Sequence, residues 1–147
     1  MKDLRIAFAC DHAGYELKEK LVKYLDGKVA SIKDFGCHST QSVDYPDFIH
    51  PLAEAIENNE YDFGIILCGS AIGVSITANK HQGIRAAVCW CNDIAALCRQ
   101  HNNANVLALP ARFIDEEQAK QFVDTFLTTA FEGGRHINRV NKIPVQK

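Results

Sequence analysis

The chain has 147 residues, and its 16 Lys and Arg against 18 Asp and Glu give a formal net charge of −2. That balance offers no basic surplus for nucleic acid or an anionic membrane surface, and no apolar run approaches the roughly 20 residues of a membrane-spanning helix. The length predicts one domain over residues 1–147. The N-terminus has no signal-peptide organisation, so we expect a cytoplasmic protein.

The N-terminal part of the sequence alternates short apolar runs with amphipathic stretches. Apolar residues recur with helical spacing over residues 15–25, after a turn that contains Gly14. A polar loop precedes Pro46, which suits the first turn of a helix. Up to residue 58 the pattern predicts strand, helix, strand and helix, at residues 4–9, 15–25, 29–34 and 46–58.

The C-terminal part continues the alternation. Residues 63–68 have no polar alternation, which is typical of a central strand covered on both faces. Asp115 and the two acidic residues after it suit the positive N-terminal end of a helix. The pattern predicts strand, helix, strand, helix, strand and helix at residues 63–68, 72–80, 84–88, 92–101, 106–109 and 115–130.

Strands that alternate with helices predict an α/β fold, a three-layer, Rossmann-like five-stranded parallel sheet with helices on both faces. Ligands bind beyond the carboxyl ends of such strands. The candidate segments are therefore residues 10–14, 68–73, 88–93 and 109–113. The polar, basic tail over residues 132–140 has little of its own to pack against, and we expect this C-terminal segment to reach a partner subunit.

The six cysteines include no CxxC pair, and without a secretion signal we expect reduced thiols. The six histidines include no tight ligand pattern such as HxxxH, so no metal is expected.

Residues 68–73 form a candidate catalytic loop between a strand and a helix. Backbone N–H groups beside a helix N-terminus favour anions, such as phosphate, a developing oxyanion or a thiolate at Cys68. The loop matches neither a Walker loop nor GxGxxG. A tight turn that ends in a buried cysteine explains the segment equally well.

Polar residues elsewhere could complete a site. Asp11 and His12 follow the first strand, where proton handling competes with simple helix capping by Asp11. His101 ends the fourth predicted helix, where an acid–base role competes with a favourable interaction with the helix dipole. Arg135 and Arg139 share a helix face if the tail is helical, which suits a phosphate dianion, although a solvated basic tail is the simpler explanation.

Together, these groups suit proton transfer next to a carbonyl, which is aldose–ketose isomerisation through an enediolate and needs no redox cofactor. The sequence also resembles the ribose-5-phosphate isomerase type B family, which includes the galactose-6-phosphate isomerase subunits. The resemblance covers nearly the whole chain in order. Its motifs are Cys10-Asp11-His12-Ala13-Gly14, Asp44-Tyr45-Pro46, residues 68–75, Ala78-Asn79-Lys80, Gly83-Ile84-Arg85-Ala86, Arg99-Gln100-His101-Asn102, Asn105-Val106-Leu107 and Glu132-Gly133-Gly134-Arg135-His136.

The resemblance implies a catalytic role for four residues. Cys68 would move the proton between C1 and C2, His101 would open the furanose ring with Asp11 nearby, and the hydroxyl of Ser70 would assist. It also implies a set of substrate contacts, which are Asp11, His12, Tyr45, Gly69, Ser70, Ala71, Ile72, Gly73, Asn102, Arg112, Arg135 and Arg139. It implies no cofactor and a homodimer or homotetramer whose active sites are shared between subunits.

Two positions bear on this assignment. Some family members use a Glu directly after the last loop glycine, where this chain has Val74, so Cys68 is the consistent base. Ala71 stands where Gly is usual, and a positive φ there would cost on the order of 1 kcal/mol.

The resemblance implies interconversion of D-ribose 5-phosphate and D-ribulose 5-phosphate, a step of the pentose phosphate pathway. The alternatives are a six-carbon substrate, allose 6-phosphate or galactose 6-phosphate, and a non-catalytic phosphate-binding module on the same fold. The pairing of Cys68 with His101 argues against simple binding, since binding needs neither group.

Overall fold

The computed structural model describes residues 1–146, so Lys147, the last residue of the predicted domain, lies outside the described residues. The described part of the chain forms five strands and six helices. The strands are β1 (Arg5–Cys10), β2 (Ser31–Asp34), β3 (Phe63–Cys68), β4 (Ala86–Val88) and β5 (Val106–Pro110). The helices are α1 (Tyr15–Leu25), α2 (Pro46–Glu57), α3 (Ile72–Ala78), α4 (Asn92–Asn102), α5 (Glu116–Thr128) and α6 (His136–Asn141).

The sheet has the strand order β2-β1-β3-β5-β4, and every neighbouring pair is parallel. The predicted five-stranded parallel sheet is therefore confirmed. Within residues 1–146, no helix is both long and apolar enough to cross a bilayer.

Two hydrophobic clusters cover the two faces of the sheet, and β3 contributes residues to both. Ile65 and Leu67 pack with buried residues of α1, α4 and α5. Ile66 and Cys68 face the other way and pack with buried residues of α2 and α3. Successive strand residues point to opposite faces, so a strand buried on both sides needs apolar residues at every position, as β3 has.

Element boundaries differ from the prediction by at most two residues at any end, and the start of β4 shows why. The amide of Ile84 donates to His81 O (3.0 Å) in a turn, and that of Arg85 donates to the side chain of Asn105 (2.8 Å). These two amides are held by a turn and a side chain, and the strand begins only at Ala86.

Most residues of the C-terminal tail over 132–140 are exposed, as expected of a segment with little of its own to pack against, and its contacts with its own chain are mainly with α4. The amide of Glu132 donates to Gln100 O on α4 at 3.0 Å, and Val140 of α6 is 9% exposed. The tail contains a helix, α6, which begins directly after its N-cap Arg135 and carries Arg139 in its last turn.

The topology of the sheet places the crevice between β1 and β3 at its carboxyl edge and the end of α4 at its amino edge. The chain leaves β1 toward β2 on one side, while β3 lies on the other side, so the carboxyl ends of β1 and β3 flank a crevice. Helix α4 begins beyond the carboxyl end of β4 and runs back to the amino end of β5. Its 11 residues span about 16 Å, which carries its last residues away from that crevice.

Candidate active site

A cleft of about 600 Å³ opens at the crevice between β1 and β3. Its volume suits a small phosphorylated sugar. The predicted site residues that line it are Asp11, His12, Tyr45, Cys68, Gly69, Ser70, Ile72, Gly73 and Arg112. Ala71 belongs to the same loop but is fully buried behind it. The structure therefore brings most of the predicted site together.

The loop between β3 and α3 presents backbone amides at this cleft. The first hydrogen bond into α3 runs from Ser75 N to Ala71 O at 3.2 Å, so the amides of residues 70–74 precede the helix's own bonds. One of them, from Ile72, reaches the hydroxyl of Ser70 at 3.3 Å. Amides at such a turn can stabilise a negative oxygen.

Ala71 adopts a left-handed conformation, with φ 66° and ψ −3°. This is the positive φ anticipated from the glycine that the family usually has there. A side chain in this region costs on the order of 1 kcal/mol. The rest of the loop and the core contact of the Ala71 methyl group offset that strain.

Cys68 ends β3 and is 6% exposed at the floor of the cleft. Its carbonyl accepts the amide of Ala111 at 2.9 Å, and the carbonyl of Gly69 accepts the amide of Arg112 at 3.0 Å. These bonds fix the end of β3 to the segment that carries Arg112. Val74, at the position of the alternative base, is fully buried and aliphatic.

Asp11 is 8% exposed, and its Oδ1 accepts the amides of Ala13 at 2.9 Å and Gly14 at 3.2 Å. The carboxylate thus orders the turn before α1, while the N-cap of α1 itself is Gly14 without a side-chain cap bond. Gly14 packs so tightly that a Cβ would lie 2.7 Å from Leu67 Cβ. These two hydrogen bonds therefore fix the Asp11 carboxyl group at the cleft. Its role in forming the turn does not exclude a contact with substrate.

The loop between β2 and α2 contacts His12 through Val43 and contributes Tyr45 to the cleft. The amide of Val43 donates to His12 Nδ1 at 3.3 Å, so in a neutral ring the proton lies on Nε2. The ring of Tyr45 covers Gly73, where a Cβ would lie 2.6 Å from Tyr45 Cζ. His12 therefore offers a donor, and Tyr45 forms part of the cleft wall.

The other predicted site residues form a second cleft of about 570 Å³, lined by His101, Asn102, Arg135 and Arg139. It lies where α4 ends, near the amino edge of the sheet, and α6 packs beside it. Cys68 and His101 therefore do not share a cleft within one chain.

Sequence reasoning missed two neighbours of His101. The ring of His136 stacks on that of His101 with centroids 4.5 Å apart, and Glu132 Oε1 lies 3.7 Å from His101 Nε2. The sequence shows that Glu132 and His136 are four residues apart, but whether these two side chains contact His101 depends on how the tail folds. Two exposed apolar side chains at the first cleft also went unassigned, Phe113 at 76% exposed and Ile76 at 56% exposed.

The profile of the family described as Ribose/Galactose Isomerase matches residues 6–143 of the chain. Ribose-5-phosphate isomerase B of Escherichia coli (strain K12) is 45% identical over 139 residues, which cover 95% of this chain and 93% of that protein. The crystal structure of a ribose 5-phosphate isomerase from Thermotoga maritima is 53% identical and superposes with a TM-score of 0.93, covering 96% of this chain and 97% of that one.

Ribose-5-phosphate isomerase B of Mycoplasma genitalium with bound ribulose-5-phosphate is 40% identical, with a TM-score of 0.91 and coverage of 97% of this chain and 95% of that one. Family profile, sequence and fold agree over nearly the full length. The chain belongs to the ribose/galactose isomerase family.

Proposed function

We propose that this chain is an aldose–ketose isomerase that interconverts D-ribose 5-phosphate and D-ribulose 5-phosphate, acting as one domain without a redox cofactor. The observation that carries the proposal is the cleft at β1 and β3. It combines the thiol of Cys68, the amides of residues 69–73 and the polar groups of Asp11 and His12. The identity of 45% to a ribose-5-phosphate isomerase B supports the choice of a five-carbon substrate.

The reaction needs a base next to C2 of the open-chain aldose. Cys68 takes the C2 proton as thiolate, and the electron pair moves to form the enediolate, whose negative charge lies on O1. The amides of the loop hold that oxygen. The hydroxyl hydrogen of O2 passes to O1, which moves the negative charge to O2. The protonated thiol then returns its proton to C1 as the C2=O2 bond forms, which gives the ketose. Ser70 lines the same cleft, and we propose that its hydroxyl donates to the same oxygens.

The furanose form must open before this step. In our proposal His101 of the partner subunit protonates the ring oxygen while Asp11 accepts the hydrogen of the O1 hydroxyl. The Oδ1 atom of Asp11 already holds two amides, so Oδ2 is the atom for this contact. Asn102 of the partner subunit would contact the sugar hydroxyls.

A homodimer completes the site. A twofold interface that joins the first cleft of one subunit to the second cleft of the other makes two whole sites. Apolar rims at both clefts support this pairing, since Phe113 at the first cleft is 76% exposed and Ile143 at the second is 51% exposed. Arg112 would then meet Arg135 and Arg139 of the partner subunit around the phosphate, with His12 as a further donor. Two such dimers would form the homotetramer.

Incubation with D-ribose 5-phosphate in D2O tests the activity. We expect D-ribulose 5-phosphate with deuterium at C1 and, after reversal, deuterium at C2 of the recovered aldose. An absence of ketose would contradict the proposal. Comparison of kcat/KM for ribose 5-phosphate with that for allose 6-phosphate and galactose 6-phosphate tests the carbon number, and a higher value for a hexose phosphate would overturn our choice.

A further inference from the structure

Three side chains with metal-binding chemistry converge at the second cleft. Glu132 Oε1 lies 3.7 Å from His101 Nε2 and 3.6 Å from His136 Nε2. One ligand atom from each of these residues lies within 4.8 Å of the others. Two imidazoles and a carboxylate are ligands that zinc uses in proteins.

The fold builds this cluster from distant parts of the sequence. His101 lies on the last turn of α4, and the amide of Glu132 donates to Gln100 O at 3.0 Å, which fixes Glu132 beside it. Gly133 and Gly134 then turn the chain with φ of 71° and 57°. The amide of His136 donates to Gly133 O at 3.1 Å, so the turn brings His136 back over His101.

The distances are close to those of a bound ion. Metal–ligand bonds of about 2.0–2.2 Å in a tetrahedral site separate neighbouring ligand atoms by about 3.4 Å. Both distances from Glu132 to the histidines are within a few tenths of an ångström of that value. The stacked rings, 4.5 Å apart at 16°, must tilt toward each other. The side chain of His101 is 41% exposed and that of Glu132 is 51% exposed, so both have room to move.

Charge and ligand type define which ion fits. Arg135 and Arg139 line the same cleft and oppose a cation, while Glu132 offsets one positive charge. Imidazole ligands suit zinc, copper and nickel, whereas magnesium and calcium prefer sites made of oxygen. A divalent ion of borderline softness, such as zinc, therefore matches this ligand set, and three protein ligands leave a fourth position for water.

We infer that His101, Glu132 and His136 form a binding site for a divalent transition-metal ion, of which Zn²⁺ is the best match. Binding occupies the Nε2 atom of His101, the residue to which the proposed function assigns ring opening. The ion is therefore an inhibitor rather than a cofactor, and this consequence rests on the proposed function.

Titration of the full-length protein with Co²⁺, followed by displacement with Zn²⁺, tests the site without an activity assay. We expect about one ion per chain, visible d–d absorption and no sulfur-to-cobalt charge-transfer band, because the ligands are nitrogen and oxygen. His136→Gln and Glu132→Gln should each weaken binding by more than ~10-fold, a loss that even an outer hydrogen-bond partner of a ligand can cause.

The matched control is His50→Gln, since His50 belongs to a second imidazole pair, with its Nδ1 2.7 Å from His81 Nε2. This variant should bind Co²⁺ like the original protein. A charge-transfer band, or equal binding by His136→Gln, would overturn the inference, because the ion would then be held by cysteines or by other histidines.

The inhibitory consequence has its own measurement. Zn²⁺ should lower the rate on D-ribose 5-phosphate, EDTA should restore it, and His136→Gln should need at least ~10-fold more Zn²⁺ for half inhibition relative to its own zinc-free rate. Co²⁺ binding without inhibition of an active enzyme would contradict the consequence alone. Failure of the isomerase assay itself would count against the proposed function and leave the Co²⁺ result as the measure of the site.

Discussion

The ring of Tyr45 lies against Gly73, and a Cβ at residue 73 would sit 2.6 Å from Tyr45 Cζ and 2.8 Å from its hydroxyl oxygen. A backbone position at the start of α3 therefore determines where a side chain from the loop before α2 lies in the first cleft. Gly73 has an ordinary helical backbone, so the requirement for glycine comes from this contact.

Gly73→Ala should displace Tyr45 and lower kcat/KM by about 10-fold or more, which corresponds to at least ~1.4 kcal/mol of transition-state stabilisation. Thermal unfolding should change little, because alanine favours a helix. A double-mutant cycle supplies the control. In a Tyr45→Ala background the same change should have almost no further effect, and a full additional loss there would show that the methyl group acts on something else.

Cys68→Ala should abolish proton transfer and leave phosphate binding intact. Loss of a positioned proton-transfer group typically lowers kcat by about 10²–10⁴-fold. The measurements are kcat and the Kd of a non-isomerisable sugar phosphate. Cys91→Ala is the matched control, since Cys91 is the partly exposed thiol outside the cleft. If the Kd of Cys68→Ala rises as steeply as kcat falls, Cys68 is a binding residue.

Mixed dimers test whether the site is shared. Cys68→Ala and His101→Ala are each expected to be inactive. Refolded together in equal amounts, they should recover about a quarter of the original activity, because half of the dimers are mixed and each mixed dimer has one intact site of two. A mixture as inactive as its components would place both residues of each site on one chain.

The buried ion pair of Lys18 and Asp34 should dominate the stability of the β2 edge. Lys18 is fully buried, and its ammonium group donates to Asp34 Oδ1 and Oδ2 at 2.9 and 2.7 Å and to Cys37 O at 2.6 Å. Burial lowers the pKa of Lys18, but the contacts with Asp34, Cys10 and Glu19 outweigh it and raise the pKa overall.

Asp34→Asn should cost about 3–5 kcal/mol of unfolding free energy, since it removes the carboxylate that accepts two hydrogen bonds from the buried ammonium group. Only the half-exposed carboxylate of Glu19 then remains, 3.3 Å away. Lys18→Met should cost less because it removes the buried charge. Urea unfolding of both variants measures the order, with the exposed pair change Glu116→Gln as a control expected to cost under about 1 kcal/mol. A larger loss for Lys18→Met would mean that the ammonium group itself, and not its missing partner, is the critical element.

The sequence predicts most of the residues of the first cleft, because the ends of the strands can be located from the apolar runs. The apolar run that ends at Cys68 and the strand that ends at Cys10 both locate the carboxyl edge of a parallel sheet. The contact of Tyr45 with Gly73 was not readable, since it depends on how an irregular loop lies over a helix. Lys18 was also not foreseen on the buried side of α1, because periodicity alone does not predict that a lysine shares that face with Leu21 and Leu25.

The second cleft shows where the pattern stops being informative. The end of α4 at His101 was predicted within one residue, and a helix that connects two parallel strands ends at the amino edge of the sheet, whatever the strand order. What the pattern does not give is the set of side chains that meet His101 at that edge. The sequence pattern predicts only a polar tail at residues 132–136. The turn at Gly133 and Gly134, seen in the structure, brings Glu132 and His136 next to His101.

The course of α4 away from the crevice has a consequence for enzyme output. In the proposed dimer each site takes residues from both subunits. A solitary chain would then carry two half-sites and no whole one, and dilution below the dimer dissociation constant would switch the reaction off without unfolding the chain. Specific activity would then rise with enzyme concentration before it levels off, and a cell would gain flux more than proportionally as it made the first copies of this protein.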